Sequence, residues 1–418
     1  MNRQKTKQQD ILVFVLCYAA YATAYFCRAH FAIALPSMIS ELNWSRTILG
    51  SIAGAFFWTY AIGQLVNGIL GDILAPKILV GAGLSIASLC NILIYFFPNV
   101  RALTIFWIIN GFALSALWGP IMRTVSLWYS EERQSRIALY LSTSMVMGYL
   151  FAWGGLGKIL TYRSWRFAFL IPGITGLIVT FLWLIFLPQE LSVSKGKDEI
   201  SFQRKRDRVQ KGQGLNWGFK IFFLLIVCTL TQGIIKDGVS LWAPTLLVEY
   251  AGFSEEAATQ KALLIPIASL FGMFLAGFSE KLTKEDDSLS FALLLLLSGF
   301  SWASLRFGTN LDGRAIAILI SLAGAFAYGA NTVLITFIPI RLASTGRVST
   351  IAGFLDFLSY VGSAIAGPLT GYLVESIGWD SALSLWLILA VIGAVSSLGL
   401  RKRLLQFRNI DEKKRESV

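Results

Sequence analysis

The chain has 418 residues, 55% of them hydrophobic and only 14% charged, with a mean hydropathy of +0.64. A water-facing surface on a chain of this size needs roughly a quarter of its residues charged, so the composition excludes a soluble globular protein and makes lipid the solvent. The net charge of +12 would raise nucleic acid as a partner of a soluble protein. In a chain this apolar it is the cation excess of loops on one membrane face, and no nucleic-acid partner is expected.

In lipid the backbone must satisfy its own hydrogen bonds, which leaves helices or a closed barrel. Barrel strands alternate apolar and polar residues over about ten positions. Here the apolar runs are continuous, as in ILVGAGLSIASLCNILIYFF and FLIPGITGLIVTFLWLIFL, and each has the length of a spanning helix. The pattern predicts an all-α membrane protein with twelve transmembrane helices in two pseudo-symmetric six-helix bundles. The N-terminal bundle covers 1–190, a basic cytoplasmic linker 191–217, and the C-terminal bundle with its tail 218–418.

The first six spans are expected near 10–38, 47–70, 78–97, 102–127, 137–160 and 167–187. Arg3, Lys5 and Lys7 precede an apolar run that continues through Arg28 to Met38, too far for a cleaved signal peptide, and it is read as a retained first helix. On that helix Tyr18, Tyr21, Tyr25 and Arg28 fall within an arc of about 80° at 100° per residue, and so share one face. His30 follows and is read as structural, with a pH-responsive role as the lesser reading. Span two carries Tyr60, Gln64 and Asn67, and ends in Gly68-Ile-Leu-Gly-Asp72. Arg123 and the segment after it look structural. The four cysteines lie within apolar runs without metal spacing and are small hydrophobes.

The next six spans are expected near 218–248, 258–279, 288–305, 314–340, 350–374 and 381–400. Span seven carries Thr229, Gln232 and Lys236. Asp237 follows Lys236 directly, but neighbours in sequence point about 100° apart on a helix, which argues against a pair. Span eight ends at Glu280. Span ten has Tyr328, Asn331 and Thr332, and span eleven Asp356, Ser359, Tyr360 and Ser363. Most loop cations fall on the side of the two termini, so both termini are expected to be cytoplasmic in a bacterial inner membrane or its equivalent.

The two halves repeat. Arg28 and Lys236 are 208 residues apart, as are Pro36 and Pro244, Glu41 and Glu249, and Asp72 and Glu280. Parallel six-helix repeats are the build of a rocking, alternating-access carrier. A charge within the bilayer costs roughly 2.5–3.5 kcal/mol on insertion scales and is usually retained for function. Here each repeat presents a cation on a polar face at the same helix position. Facing one another at about 8 Å, two such cations repel by roughly 2 kcal/mol at an effective dielectric of 20, and an anion between them reverses the sign. Substitution of either by alanine is expected to abolish anion binding without disturbing folding. Tyr21, Tyr25, Tyr60, Gln64, Tyr328, Asn331 and Tyr360 are expected to line the pocket, with Asp356 and Asp237 for coupling or charge balance and Asp72 and Glu280 for gating. No GxxxxGK[ST] loop occurs, and no nucleophile or metal constellation. The expectation is a monomeric secondary transporter without cofactor, not an enzyme.

Three segments then become specific: Tyr21–Pro36 (YATAYFCRAHFAIALP), Trp118–Trp128 (WGPIMRTVSLW) and Lys236–Thr245 (KDGVSLWAPT). With the Gly-x-x-x-Asp motif and its echo after span eight, they resemble the major facilitator superfamily and, within it, the organophosphate:phosphate antiporters, which include glycerol-3-phosphate and hexose-phosphate carriers. The resemblance implies that Arg28 and Lys236 take the places of two phosphate-holding arginines. It also puts Gln64, Met145 and Leu241 where the glycerol-phosphate carriers have a lysine, a histidine and an acid. It implies transport of an organic phosphate or similar small organic anion in exchange for inorganic phosphate. The alternatives are a proton- or cation-coupled organic anion symporter and a sugar-phosphate sensor without transport.

Overall fold

The computed structural model of the chain describes residues 7–188, 219–341 and 348–416, with some side chains inside those helices, Asp72 among them, left aside. The basic linker expected at 191–217 lies outside the described residues. The described residues form helices without strands, as a chain that must satisfy its own backbone in lipid requires.

Twelve helices are long and apolar enough to span a membrane: α1 (Lys7–Leu42), α2 (Arg46–Gly71), α3 (Pro76–Phe96), α4 (Val100–Trp128), α5 (Glu132–Leu160), α6 (Phe167–Phe186), α7 (Phe222–Glu249), α8 (Glu255–Leu282), α9 (Asp287–Phe307), α10 (Gly313–Phe337), α11 (Ile351–Ser376) and α12 (Trp379–Arg401). The expected spans match these within a few residues. Several starts are written in the sequence as capping side chains. Ser45, Asn99, Ser254, Asp286 and Asp312 each accept from a backbone N–H three residues on, at 2.8–3.3 Å, satisfying a donor the helix itself cannot pair.

The chain divides into two compact units. Unit 1 comprises Met1–Ser194 and Pro244–Leu263, and unit 2 comprises Lys195–Ala243 and Leu264–Val418. In unit 1, α1 packs on α5 and α6, α3 on α6 and α4, and α2 on α4. Trp107 stacks on Phe31 at 4.7 Å and sits beside Phe56 and Phe169 in its buried centre. In unit 2, α9 packs on α12 and α10, and α8 on α10, with Trp302 and Trp386 in contact at 4.7 Å. Large side chains such as Phe274 and Phe300 are more than two thirds exposed, which only lipid makes favourable.

Three helices are irregular. In α4 the helical track breaks at Ser115–Leu117 before Trp118 resumes it, α5 turns π-helical over Leu150–Leu156, and α10 does so over Val333–Phe337. Widened turns of this kind re-aim the side chains beside them and concentrate at functional sites. Two of the three lie beside the residues described next.

Candidate functional site

In unit 1 the polar face of α1 ends in an aromatic cage. The Arg28 guanidinium carbon lies 4.9 Å from the centre of the Tyr25 ring, 5.4 Å from those of Phe57 and Tyr60, and 5.7 Å from that of Phe56. Ring faces carry negative potential and attract a cation, so four rings hold a half-buried charge without a carboxylate among them. Tyr21 continues the face, edge-on to Tyr25 at 5.3 Å and against Trp118 at 4.5 Å. Tyr149 supports Tyr25 from α5 at 5.7 Å. The approach of α1 and α5 requires Gly148, since a Cβ there would lie 2.5 Å from the Ala22 carbonyl oxygen. The π-helical segment of α5 is pinned by Trp153, whose Nε1 donates to the Ala29 carbonyl at 2.9 Å.

The neighbours sort less evenly than the sequence suggests. Gln64 is half-buried one turn from Tyr60. Asn67 is not part of the cage: its Nδ2 donates to Ser115 Oγ at 2.8 Å and to the Phe112 carbonyl at 3.2 Å, which ties α2 to α4. His30 is fully buried, bonded through Nδ1 to the Phe26 carbonyl at 2.8 Å and packed against Trp107 and Phe169. It lies about 200° round the helix from Arg28, on the core side, which supports the structural reading.

Unit 2 builds its own cluster around Lys236, which lies 5.6 Å from the ring centres of both Tyr328 and Tyr360. Here an acid is present. Lys236 Nζ stands 3.0 Å from Asp237 Oδ2, with the two side chains only 10% and 2% exposed, and Ser363 donates to the same carboxylate oxygen. This corrects the expectation from helical spacing. The lysine stem is long enough to curl back past one residue, and both groups avoid lipid by doing so. Ser240, which the sequence reading passed over, donates to the Lys236 carbonyl at 2.9 Å and lies 3.4 Å from Tyr328 Oη. One turn earlier on α7, Gln232 accepts from Ser359 at 3.3 Å. Gly233 makes that approach possible, as its Cβ would lie 2.2 Å from the Ser359 carbonyl oxygen. Asp356 is half-buried on α11, one turn from Ser359 and Tyr360, and Asn331 is half-buried on α10.

Residues 17–367 match the Major Facilitator Superfamily. The chain belongs to that superfamily. It is 26% identical to a "Probable hexose phosphate transport protein" of Chlamydia muridarum (strain MoPn / Nigg), over 93% of this chain and 90% of the relative. It is 27% identical to a "Glycerol-3-phosphate transporter" of Bacillus subtilis (strain 168), over 94% and 92%. These names agree with the organophosphate:phosphate antiporter resemblance. Among solved structures, a bacterial homologue of the human lysosomal transporter Spinster superposes with a TM-score of 0.71 at 17% identity, covering 97% of this chain and 96% of the other. That likeness shows the fold. The superfamily and these relatives are transporters, not enzymes, and the chain is an integral multi-pass membrane protein.

The remaining polar residues of this superfamily member lie at helix ends. Arg123 donates through Nη1 to the Gly71 and Leu74 carbonyls at the end of α2, where a cation also suits the negative pole of the helix. This is the bracing role its position suggested. The Asp72 side chain is outside the described residues, and Glu280 is half-buried near the end of α8. Within unit 1, Arg46 forms a two-pronged pair with Glu249, with a shortest contact of 2.7 Å, and Ser37 donates to Glu255 at 2.5 Å. Neither link was legible in the sequence, because each joins residues more than 200 positions apart.

Proposed function

We propose that the protein is a secondary active transporter of an organic phosphate or a similar small organic anion, which it exchanges for inorganic phosphate by alternating access. The observation that carries this reading is the matched placement of Arg28 and Lys236, 208 residues apart on α1 and α7, each set among tyrosines in its own unit. A phosphoryl group suits them, since arginine offers a planar fork of donors and lysine a compact charge. Tyr21, Tyr25, Tyr60, Gln64, Tyr328, Asn331 and Tyr360 contact the anion and its organic part, and Asp72 and Glu280 act as gates. Asp237 neutralises Lys236, so Arg28 carries the net positive charge, and cation–cation repulsion opposes closure of the empty carrier less than Lys236 alone would. Both termini face the cytoplasm and the monomer is the working unit. The hexose-phosphate and glycerol-3-phosphate relatives support phosphorylated metabolites as the substrate class.

Exchange is tested in proteoliposomes. Uptake of hexose 6-phosphate should rise with internal phosphate and ignore an imposed proton gradient. Uptake that ignores internal phosphate and follows the proton gradient replaces this reading with anion–proton symport, for which the buried Asp237 is the specific candidate. Asp356 is the second. Saturable binding with no flux in either assay replaces it with a sugar-phosphate sensor.

A further inference from the structure

At the N-terminal foot of unit 1, the seam between α1 and α5 opens into a cavity of about 230 Å³ lined by Lys7, Asp10 and Arg133 together with the apolar faces of Ile11, Phe14 and Tyr140. Both oxygens of Asp10 are committed. Trp128 Nε1 donates to one at 3.0 Å and Arg133 Nη1 to the other at 2.7 Å. Asp10 thus holds Arg133 at the wall, where the guanidinium also lies 5.4 Å from the centre of the Tyr129 ring. Tyr129 donates its hydroxyl to the Asp10 carbonyl at 2.6 Å. Burial, reinforced by Asp10, raises its phenol well above the usual range, so it adds no negative charge. Of the five donors a guanidinium carries, the Asp10 carboxylate takes one, and the Arg133 side chain remains half exposed. Arg133 balances Asp10, and Lys7 leaves the cavity a single net positive charge.

The cavity shares a helix face with the cage. On α1 the residues Lys7, Ile11, Phe14, Tyr18, Tyr21, Tyr25 and Arg28 follow at alternating steps of four and three, and at 100° per residue all fall within an arc of about 100°. Lys7 is about 32 Å from Arg28 along the axis. The α5 wall continues the same way. One turn past Tyr140, Thr143 meets Tyr18 at 3.2 Å between hydroxyl oxygens.

We infer that this cavity is a second, weaker anion site, which takes a phosphorylated solute from water at the foot of α1 and passes it to the face that ends at Arg28. Lys7 and Arg133 donate to the phosphoryl oxygens, while Phe14 and Tyr140 lie against the organic part. Weak binding is what the role demands, because an entry site must release its ligand as readily as it captures it. The substrate class rests on the proposed function. An anionic phospholipid headgroup offers the same phosphoryl chemistry, but the shared face with Arg28 favours the solute.

The test reads the acylation rate of Lys7 in the full chain by mass spectrometry, with inorganic phosphate as probe against chloride of equal ionic strength and exposed Lys158 as internal reference. Phosphate at twice its dissociation constant should slow Lys7 by about threefold by mass action and leave Lys158 unchanged. Protection should persist in Arg28→Ala, fall away in Arg133→Gln and largely return in Arg133→Lys. Phosphate that protects no better than chloride overturns the inference. So does protection by phosphatidylglycerol in phosphatidylcholine vesicles without any by phosphate, which assigns the cavity to lipid, and so does protection that vanishes in Arg28→Ala. The reading of Arg28 is judged separately, by whether Arg28→Ala removes the thermal stabilisation that hexose 6-phosphate gives the whole protein.

Discussion

Lys236 and Asp237 are consecutive residues of α7, and yet their side chains meet, with the ammonium nitrogen 3.0 Å from a carboxylate oxygen. The pair changes what a mutation at Lys236 reports. Removing one member of a buried pair leaves the other charged and unsolvated, which costs about 3–5 kcal/mol. The expectation that Lys236→Ala spares folding therefore fails on physical grounds, and the informative variant removes both charges.

Lys236→Ala should lower the detergent-solubilised unfolding temperature more than Lys236→Met/Asp237→Asn does. A thermal melt of the three proteins decides it. Equal melting of the single and double variants would show that the two charges do not depend on one another.

Arg28→Ala should reduce binding of phosphorylated ligands by about tenfold or more, since a charge-assisted hydrogen bond lost at a partly buried site is worth about 1.5–3 kcal/mol. Arg28→Lys should retain part of it, because the cage still holds a cation but the planar fork is gone. Isothermal titration with hexose 6-phosphate separates the two, and unchanged affinity in Arg28→Ala removes Arg28 from the site.

Gly233→Ala should destabilise unit 2. The new methyl would sit 2.2 Å from the Ser359 carbonyl oxygen, backbone that has no rotamer to escape into, and such overpacking costs about 1–3 kcal/mol. Gly277→Ala is the control, because its Cβ meets nothing within 4 Å. Folded yield and melting temperature should fall for the first and hold for the second.

Arg46 and Glu249 should be coupled by about 1 kcal/mol in a double-mutant cycle of thermal stability, at the upper end for partly exposed pairs because the contact is two-pronged. The exchanged pair Arg46→Glu/Glu249→Arg should recover much of what each reversal loses. Strictly additive effects would show that the contact contributes nothing.

Much of this was legible in the sequence, for reasons that differ by residue. The twelve spans followed from run length alone, because lipid leaves the backbone no alternative to helices. Arg28 was visible because a cation amid apolar residues is expensive, and Tyr21 and Tyr25 because a single helix has a fixed angular step. Phe56 and Phe57 were not, since nothing distinguishes a ring that faces a guanidinium from one that faces lipid until α2 is placed against α1. The pairing of Lys236 with Asp237 was missed because angular spacing describes where Cβ points and ignores how far a four-carbon stem can bend. Asn67 was misassigned for a related reason: a polar residue on a polar stripe turns away when a neighbouring helix offers a serine.

The division of the chain at Ala243 and Pro244 falls inside α7, between two residues that one continuous helix should weld together. Proline has no amide hydrogen to give back to the Ser240 carbonyl, so the joint is the slackest peptide step in that helix. A bend there needs no backbone hydrogen bond to break, which makes this step the natural elbow of the molecule and a residue whose replacement by alanine would stiffen it.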